Sequence, residues 1–354
     1  MRIVLIATLF FYSLSGFSKP ANIDSNYLKV FSTLEDMLSQ REPSSFKYAV
    51  FLTENVALEN TLIYSKFDEH IVKLATLVKY WMEFNPLKDY HNSDSINVQK
   101  NYALFTFFKD TLKISLTKEG DFIHLPYTYD FSDFFGQKDL GNMFDTKLLS
   151  AHKGNCHSLP YLYKILADEL EATCWLSFAP NHMYIKNRCQ KTGWYNTELT
   201  SGEFPIDAWI ATSGYVPVDA IRNGIYMDTL SNQQAIAQCV LDLAKGYEFQ
   251  TKNYYDGFIL KCCDLTLQYH PLNVQAILLK AETFKRIYEK QKADKDSQAA
   301  TTYNQMEQLY IKLFELGYRE MPEKMYMQWL RSVTQQRDKY GNKQLKETLK
   351  GKTK

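Results

Sequence analysis

Gly154-Asn155-Cys156-His157-Ser158, Pro180-Asn181-His182-Met183-Tyr184-Ile185 and Gly193-Trp194-Tyr195-Asn196-Thr197-Glu198-Leu199-Thr200 are the three segments whose reading decides the fold. Between the first two, Leu159, Leu162, Tyr163, Leu166, Ala167 and Leu170 recur at helical spacing and mark one apolar face over three turns. Residues 172–178, 182–187 and 194–199 then read as strands, with the polar stretch 188–193 as a hairpin turn. A helix followed by an antiparallel meander predicts an α+β domain.

The chemistry of these residues is specific. A thiol attacks only as a thiolate, so a reactive cysteine needs a lowered pKa. Cys156 is expected at or just inside a helix N-terminus with Asn155 as N-cap. There the helix dipole and free N–H groups favour an anion and can stabilise an oxyanion. Gly154 is expected to let a substrate backbone approach. On the second strand, alternation puts His182, Tyr184 and Lys186 on one side. The imidazole there can serve as base toward the thiol and acid toward a leaving group. On the third strand Trp194, Asn196 and Glu198 share a face. Glu198 is the candidate to orient the histidine, Asn196 a neutral alternative, and Asp207 a reserve carboxylate.

Gly-Asn-Cys opening a helix, a strand beginning with His182, and Gly-Trp-x-x-x-Glu-x-Thr at 193–200 together resemble the transglutaminase-like superfamily. The third motif there is typically Gly-Trp-x-x-x-Asp-Pro-Thr, so Glu198 and Leu199 depart from the pattern. The resemblance covers residues 148–215, a minority of the chain. It implies a papain-like core, a cysteine-bearing helix on an antiparallel sheet, and acyl transfer by Cys156, His182 and Glu198. Asn155, Asn196 and Trp194 are expected around that triad as supporting or oxyanion groups. No metal or organic cofactor is implied. Cys156, His157 and His182 lack zinc-ligand spacing.

The rest of the chain frames this core. The 354 residues are 45% hydrophobic and 23% charged, a balance that allows two or three domains. Lysine plus arginine number 41 against 40 acidic residues, so no basic field for nucleic acid exists. Residues 1–18 read as an export signal: Arg2, an apolar run from Ile3 to Leu14, and small residues before Lys19-Pro20. The run is too short for an ordinary span, though an uncleaved anchor is the rival reading. A periplasmic or secreted protein without stable membrane insertion is expected. Six cysteines, two of them adjacent, do not suggest a disulfide framework.

Residues 19–147 read as a mainly helical region packed on the core, with Ile71, Leu74, Leu77, Val78 and Trp81 as one stripe ending at Asn85-Pro86. The aromatic run 102–108 fits helix or strand. Residues 148–230 are the expected core. Residues 231–337 are helical, and Pro271, Ile277, Ala281 and Phe284 fit tetratricopeptide-like spacing, with a plain bundle as alternative. Residues 338–354 read as a polar, frayed tail. Phe204 to Trp209 is a candidate groove lining. His152 is expected in the cleft, and His157 faces away from the nucleophile.

Two functions compete. One is an exported cysteine peptidase or amidase acting on a peptide or protein substrate. The other is a non-catalytic scaffold of the same fold that binds a protein partner through its C-terminal helices. A thiol open to a cleft beside His182 favours the first, and a thiol buried away from any groove the second.

Overall fold

A computed structural model describes residues 24–116, 120–335 and 337–350; the expected export signal lies outside them. Helix α1 (Ser25–Leu38) starts where the Asp24 carboxylate accepts the Asn26 N–H. In α2 (Phe46–Ala57) the Ser45 hydroxyl accepts the Tyr48 N–H. Each cap satisfies a donor that the helix itself leaves open. Helix α3 (Tyr64–Phe84) buries Ile71, Leu74 and Val78 and ends at Asn85, before Pro86. The aromatic run settles as helix α4 (Ser95–Lys109), whose Leu104, Phe105, Phe107 and Phe108 are all buried. A helix that is apolar on several faces has to be enclosed, and this one is.

A hairpin of β1 (Leu112–Leu116) and β2 (Gly120–His124) comes next, then β3 (Thr128–Tyr129), α5 (Asp145–Ala151) and β4 (Lys153–Gly154). Strands β3 and β4 pair in parallel, with Tyr129 opposite Gly154. Helix α6 (Ser158–Glu169) leads to the antiparallel sheet β5 (Trp175–Ala179), β6 (His182–Cys189) and β7 (Gly193–Thr197), in that spatial order. Helix α6 is buried from Ser158 through Ala167, because α3 and α4 cover one flank and β5 and β6 the other.

Two short helices, α7 (Asp207–Ser213) and α8 (Val218–Arg222), cross to the long ones: α9 (Asn232–Thr251), α10 (Phe258–Tyr269), α11 (Val274–Ala293) and α12 (Ala299–Glu315). Ser231 and Gln234 close a capping box at the start of α9. Each of these four helices packs on the next. Pro271 precedes α11, and Ile277 and Ala281 are fully buried. Helices α13 (Glu323–Gln335), α14 (Arg337–Tyr340) and α15 (Lys343–Lys350) finish the chain.

The fold is α+β and mostly helical. One apolar core runs from Tyr27 in α1 to Leu349 in α15, and α1 and α2 lie against α9. The N-terminal helices thus pack on the C-terminal helical region as well as on the middle of the chain. The expectation of a frayed tail is corrected over its described part. Leu345 and Leu349 are buried, and Tyr340 stacks on Trp209 with ring centroids 3.8 Å apart. A few apolar groups on one face anchor a segment whose composition is polar. Among the described residues, no helix is long and apolar enough to cross a membrane.

Candidate active site

The nucleophile candidate stands on a turn set by two neighbours. At Gly154 an added Cβ would lie 2.4 Å from Ser158 Oγ and 3.0 Å from a Leu148 methyl. Internal packing demands this glycine, so the expectation of a substrate backbone passing there is replaced. Asn155 is fully buried, and its side-chain oxygen accepts the N–H groups of His157 at 2.9 Å and Ser158 at 3.2 Å. That is a capping role. Regular helix begins only at Ser158, so Cys156 sits on the capping turn and not inside α6. Its sulfur lies 3.8 Å from the Asn181 carbonyl oxygen.

His182 follows directly on Asn181, whose left-handed φ of 57° turns the chain into β6. Its Nε2 is 2.6 Å from Glu198 Oε2, and both side chains are buried. Glu198 lies just beyond β7, and its other oxygen accepts the Thr200 N–H at 2.7 Å. The fourth member of the arrangement comes from α13. The Tyr326 hydroxyl is 3.2 Å from His182 Nδ1 and donates to Cys156 Sγ at 3.4 Å. With that hydroxyl donating to sulfur, the pattern matches Nδ1 donating to it and Nε2 donating to the carboxylate, the proton count of an imidazolium.

The electrostatics agree with this proton count. Burial pushes the Cys156 thiol up, but the neighbouring His182 and the Tyr326 hydroxyl outweigh it and bring it below its ordinary value. Burial pulls His182 down, yet the Glu198 carboxylate overcomes this and lifts the imidazole to about 10. Glu198 is raised by burial and lowered further by His182, ending below the usual carboxylate range. Opposite charges favour each other's charged forms, so the arrangement favours thiolate, imidazolium and carboxylate together.

Cys156 and His182 both line a cleft of about 570 Å³. Phe134 and Phe135 line it too, as do Lys245, Glu248 and Asn273 from the helical region. Cys156 itself is 9% exposed.

The other anticipated residues are placed differently. Trp194 is 45% exposed and packs on Trp175 and Arg188. It pairs with Arg188, six residues along β6 from His182, or about 20 Å at the usual strand rise. It does not support the triad. Asn196 donates to the Pro205 carbonyl at 3.0 Å and to Asp207 at 2.7 Å, so neither of these two side chains serves His182. Phe204 packs on Phe105 and Trp209 on Tyr340, which makes both core residues and not groove lining. His152 is the left-handed C-cap of α5 and stacks on Tyr127, outside the cleft lining. His157 does line the cleft, with Nε2 at 3.2 Å from Asp242 and Nδ1 at 3.0 Å from the Met143 carbonyl.

Three residues at the site lie outside the three motifs. Tyr326 is one, 170 positions from Cys156. Tyr129 is buried on β3, and its hydroxyl meets no partner at hydrogen-bonding geometry, although burial and the nearby thiol push its pKa upward. Lys109 is the third: its ammonium donates to the Leu199 carbonyl at 2.7 Å and to that of Tyr127 at 3.2 Å. Burial lowers it to about 8, against the pull of Glu198. It holds the chain where the resemblance expects proline. A buried lysine in an aromatic helix was the available clue. All six cysteines are free. Among the described residues no three His, Cys, Asp or Glu side chains are grouped to hold a metal ion. In comparison with known proteins, no family model, no curated protein and no solved structure matches the chain.

Proposed function

We propose that this chain is an exported, transglutaminase-like cysteine hydrolase or acyl transferase acting on a peptide or amide bond. The observation that carries the reading is the buried His182–Glu198 contact of 2.6 Å beside a cysteine that lines a cleft and whose pKa is lowered. Helix α6, entered from the Cys156 turn and packed on an antiparallel sheet, supports the papain-like core, and the apolar leader at 1–18 supports export.

In this reading the Cys156 thiolate attacks the carbonyl carbon, forming a C–S bond and moving the π electrons to oxygen. Collapse of that intermediate expels the amine, which takes the His182 proton. Neutral His182 then draws a proton from water or a second amine, which attacks the thioester; the C–S bond breaks and the thiolate returns beside the protonated imidazole. Glu198 keeps the imidazole in the required orientation and stabilises its charged form.

The test is the alkylation rate of Cys156 by iodoacetamide against pH, in wild type and His182→Ala. Fast labelling well below about pH 8 that collapses in the variant is expected, because only a paired thiolate reacts there. A wild-type profile centred near the ordinary value of about 8.5, unchanged by the substitution, overturns the proposal. That outcome favours the non-catalytic scaffold, a reading supported by the small exposure of Cys156.

A further inference from the structure

The cluster of groups on the entry to α13 has one common target. Asn181 Nδ2 donates to the Met321 carbonyl at 3.0 Å, which ties this entry to the turn before His182. One helical turn apart, Tyr326 and Trp329 then lie on the imidazole, Trp329 edge-on with centroids 4.8 Å away. The Tyr326 ring is held in turn by Phe134 at 5.3 Å and Phe135 at 5.2 Å. It is fully buried, so its hydroxyl has no access to water. Its hydroxyl reaches both reacting groups, Cys156 Sγ and His182 Nδ1, with the Tyr129 hydroxyl close by.

We propose that Tyr326 is a further catalytic residue, and that α13 completes the active site by placing its phenol between nucleophile and base. The proposal rests on the acyl-transfer reading above. Its hydroxyl accepts the Nδ1–H of the imidazolium and donates to the thiolate, so each charge is held by a partner that itself stays neutral. No bond is made or broken in this role. The phenol lowers the free energy of the charged pair relative to the neutral one, as hydrogen bonds to an ionised group do. It also fixes the direction of the sulfur, because the ring is clamped by Phe134, Phe135 and Trp329. The consequence for the fold is that the core at 148–230 does not carry a finished site by itself. A residue from the C-terminal helices finishes it.

Tyr326→Phe isolates the hydroxyl, since the phenylalanine ring keeps the packing against Phe134, Phe135 and Trp329. The midpoint of the iodoacetamide profile is expected to rise by about one pH unit, so that labelling below the midpoint slows about tenfold. The plateau rate at high pH and the thermal midpoint are expected to stay near wild type. An unmoved midpoint refutes the assignment and makes Tyr326 a packing residue. Faster labelling at every pH with the midpoint unmoved also refutes it, because the phenol then only covers the thiol. Loss of labelling at all pH values together with a lowered thermal midpoint refutes it in favour of a structural role. Failure of the acyl-transfer reading is told apart by His182→Ala, which then leaves the wild-type profile unchanged and removes the basis for this assignment too.

Discussion

Replacing Glu198 by glutamine keeps the length and one acceptor oxygen of the side chain but removes its charge. The carboxylate oxygen stands 2.6 Å from His182 Nε2, with both side chains out of water. With the charge delocalised over each group, the centres lie about 4 Å apart, worth about 4 kcal/mol at an effective dielectric constant near 20. Divided by about 1.4 kcal/mol per unit, that is roughly three pKa units. His182 would fall from about 10 to about 7, where burial is opposed by Cys156 alone. The equilibrium between neutral and charged Cys156–His182 shifts by about a thousandfold toward neutral. Part of this is absorbed if the charged pair is in large excess, so labelling by iodoacetamide at about pH 6 is expected to slow by at least about tenfold. Glu198→Asp, which restores charge but shortens the reach, is expected to fall between the two. A Glu198→Gln profile within about threefold of wild type from pH 5 to 8 refutes the electrostatic account.

Three further outcomes are expected. His270 is buried, its Nδ1 accepts from Asn273 Nδ2 at 3.3 Å, and burial lowers it to about 4. Its folded value lies below the unfolded one, so stability is lost on acidification from about pH 6.5 to about 4, by roughly 3 kcal/mol. Urea midpoints at both pH values, in wild type and His270→Gln, check this: an equal drop in the two proteins sinks it. Leu345→Ala is expected to cost about 2–4 kcal/mol, because that side chain is fully buried, and an unchanged urea midpoint would return α15 to a frayed tail. Gly154→Ala drives a methyl onto Ser158 Oγ and is expected to destabilise by about 1–3 kcal/mol. Adding Ser158→Ala removes the colliding oxygen, so the two costs are expected to fall short of additive, and strict additivity refutes the clash.

Where local interactions decide, the amino-acid order was sufficient. The period of Ile71, Leu74 and Val78 and the stop at Asn85-Pro86 place α3, since a helix stripe and a proline act over one or two turns. The carboxamide cap of Asn155, the Leu159-to-Leu170 stripe and three short β runs with a polar turn likewise belong to neighbours in sequence. That order alone puts Cys156, His182 and Glu198 at the ends of successive elements. Tertiary packing decided which side chains meet. Asn196 and Glu198 share a strand parity, yet Asn196 turns to Asp207 and Glu198 to His182, because α7 approaches one and β6 the other. Trp194 has the motif spacing and lies at the far end of the sheet. Tyr326 reaches the thiol across 170 positions, through an aromatic cluster no local period announces. The frayed-tail reading failed for the same reason: a helix with a few apolar groups is polar by composition and buried by docking. Periodicity reports the face an element will hide, whereas the partner of that face is chosen by the whole chain's packing.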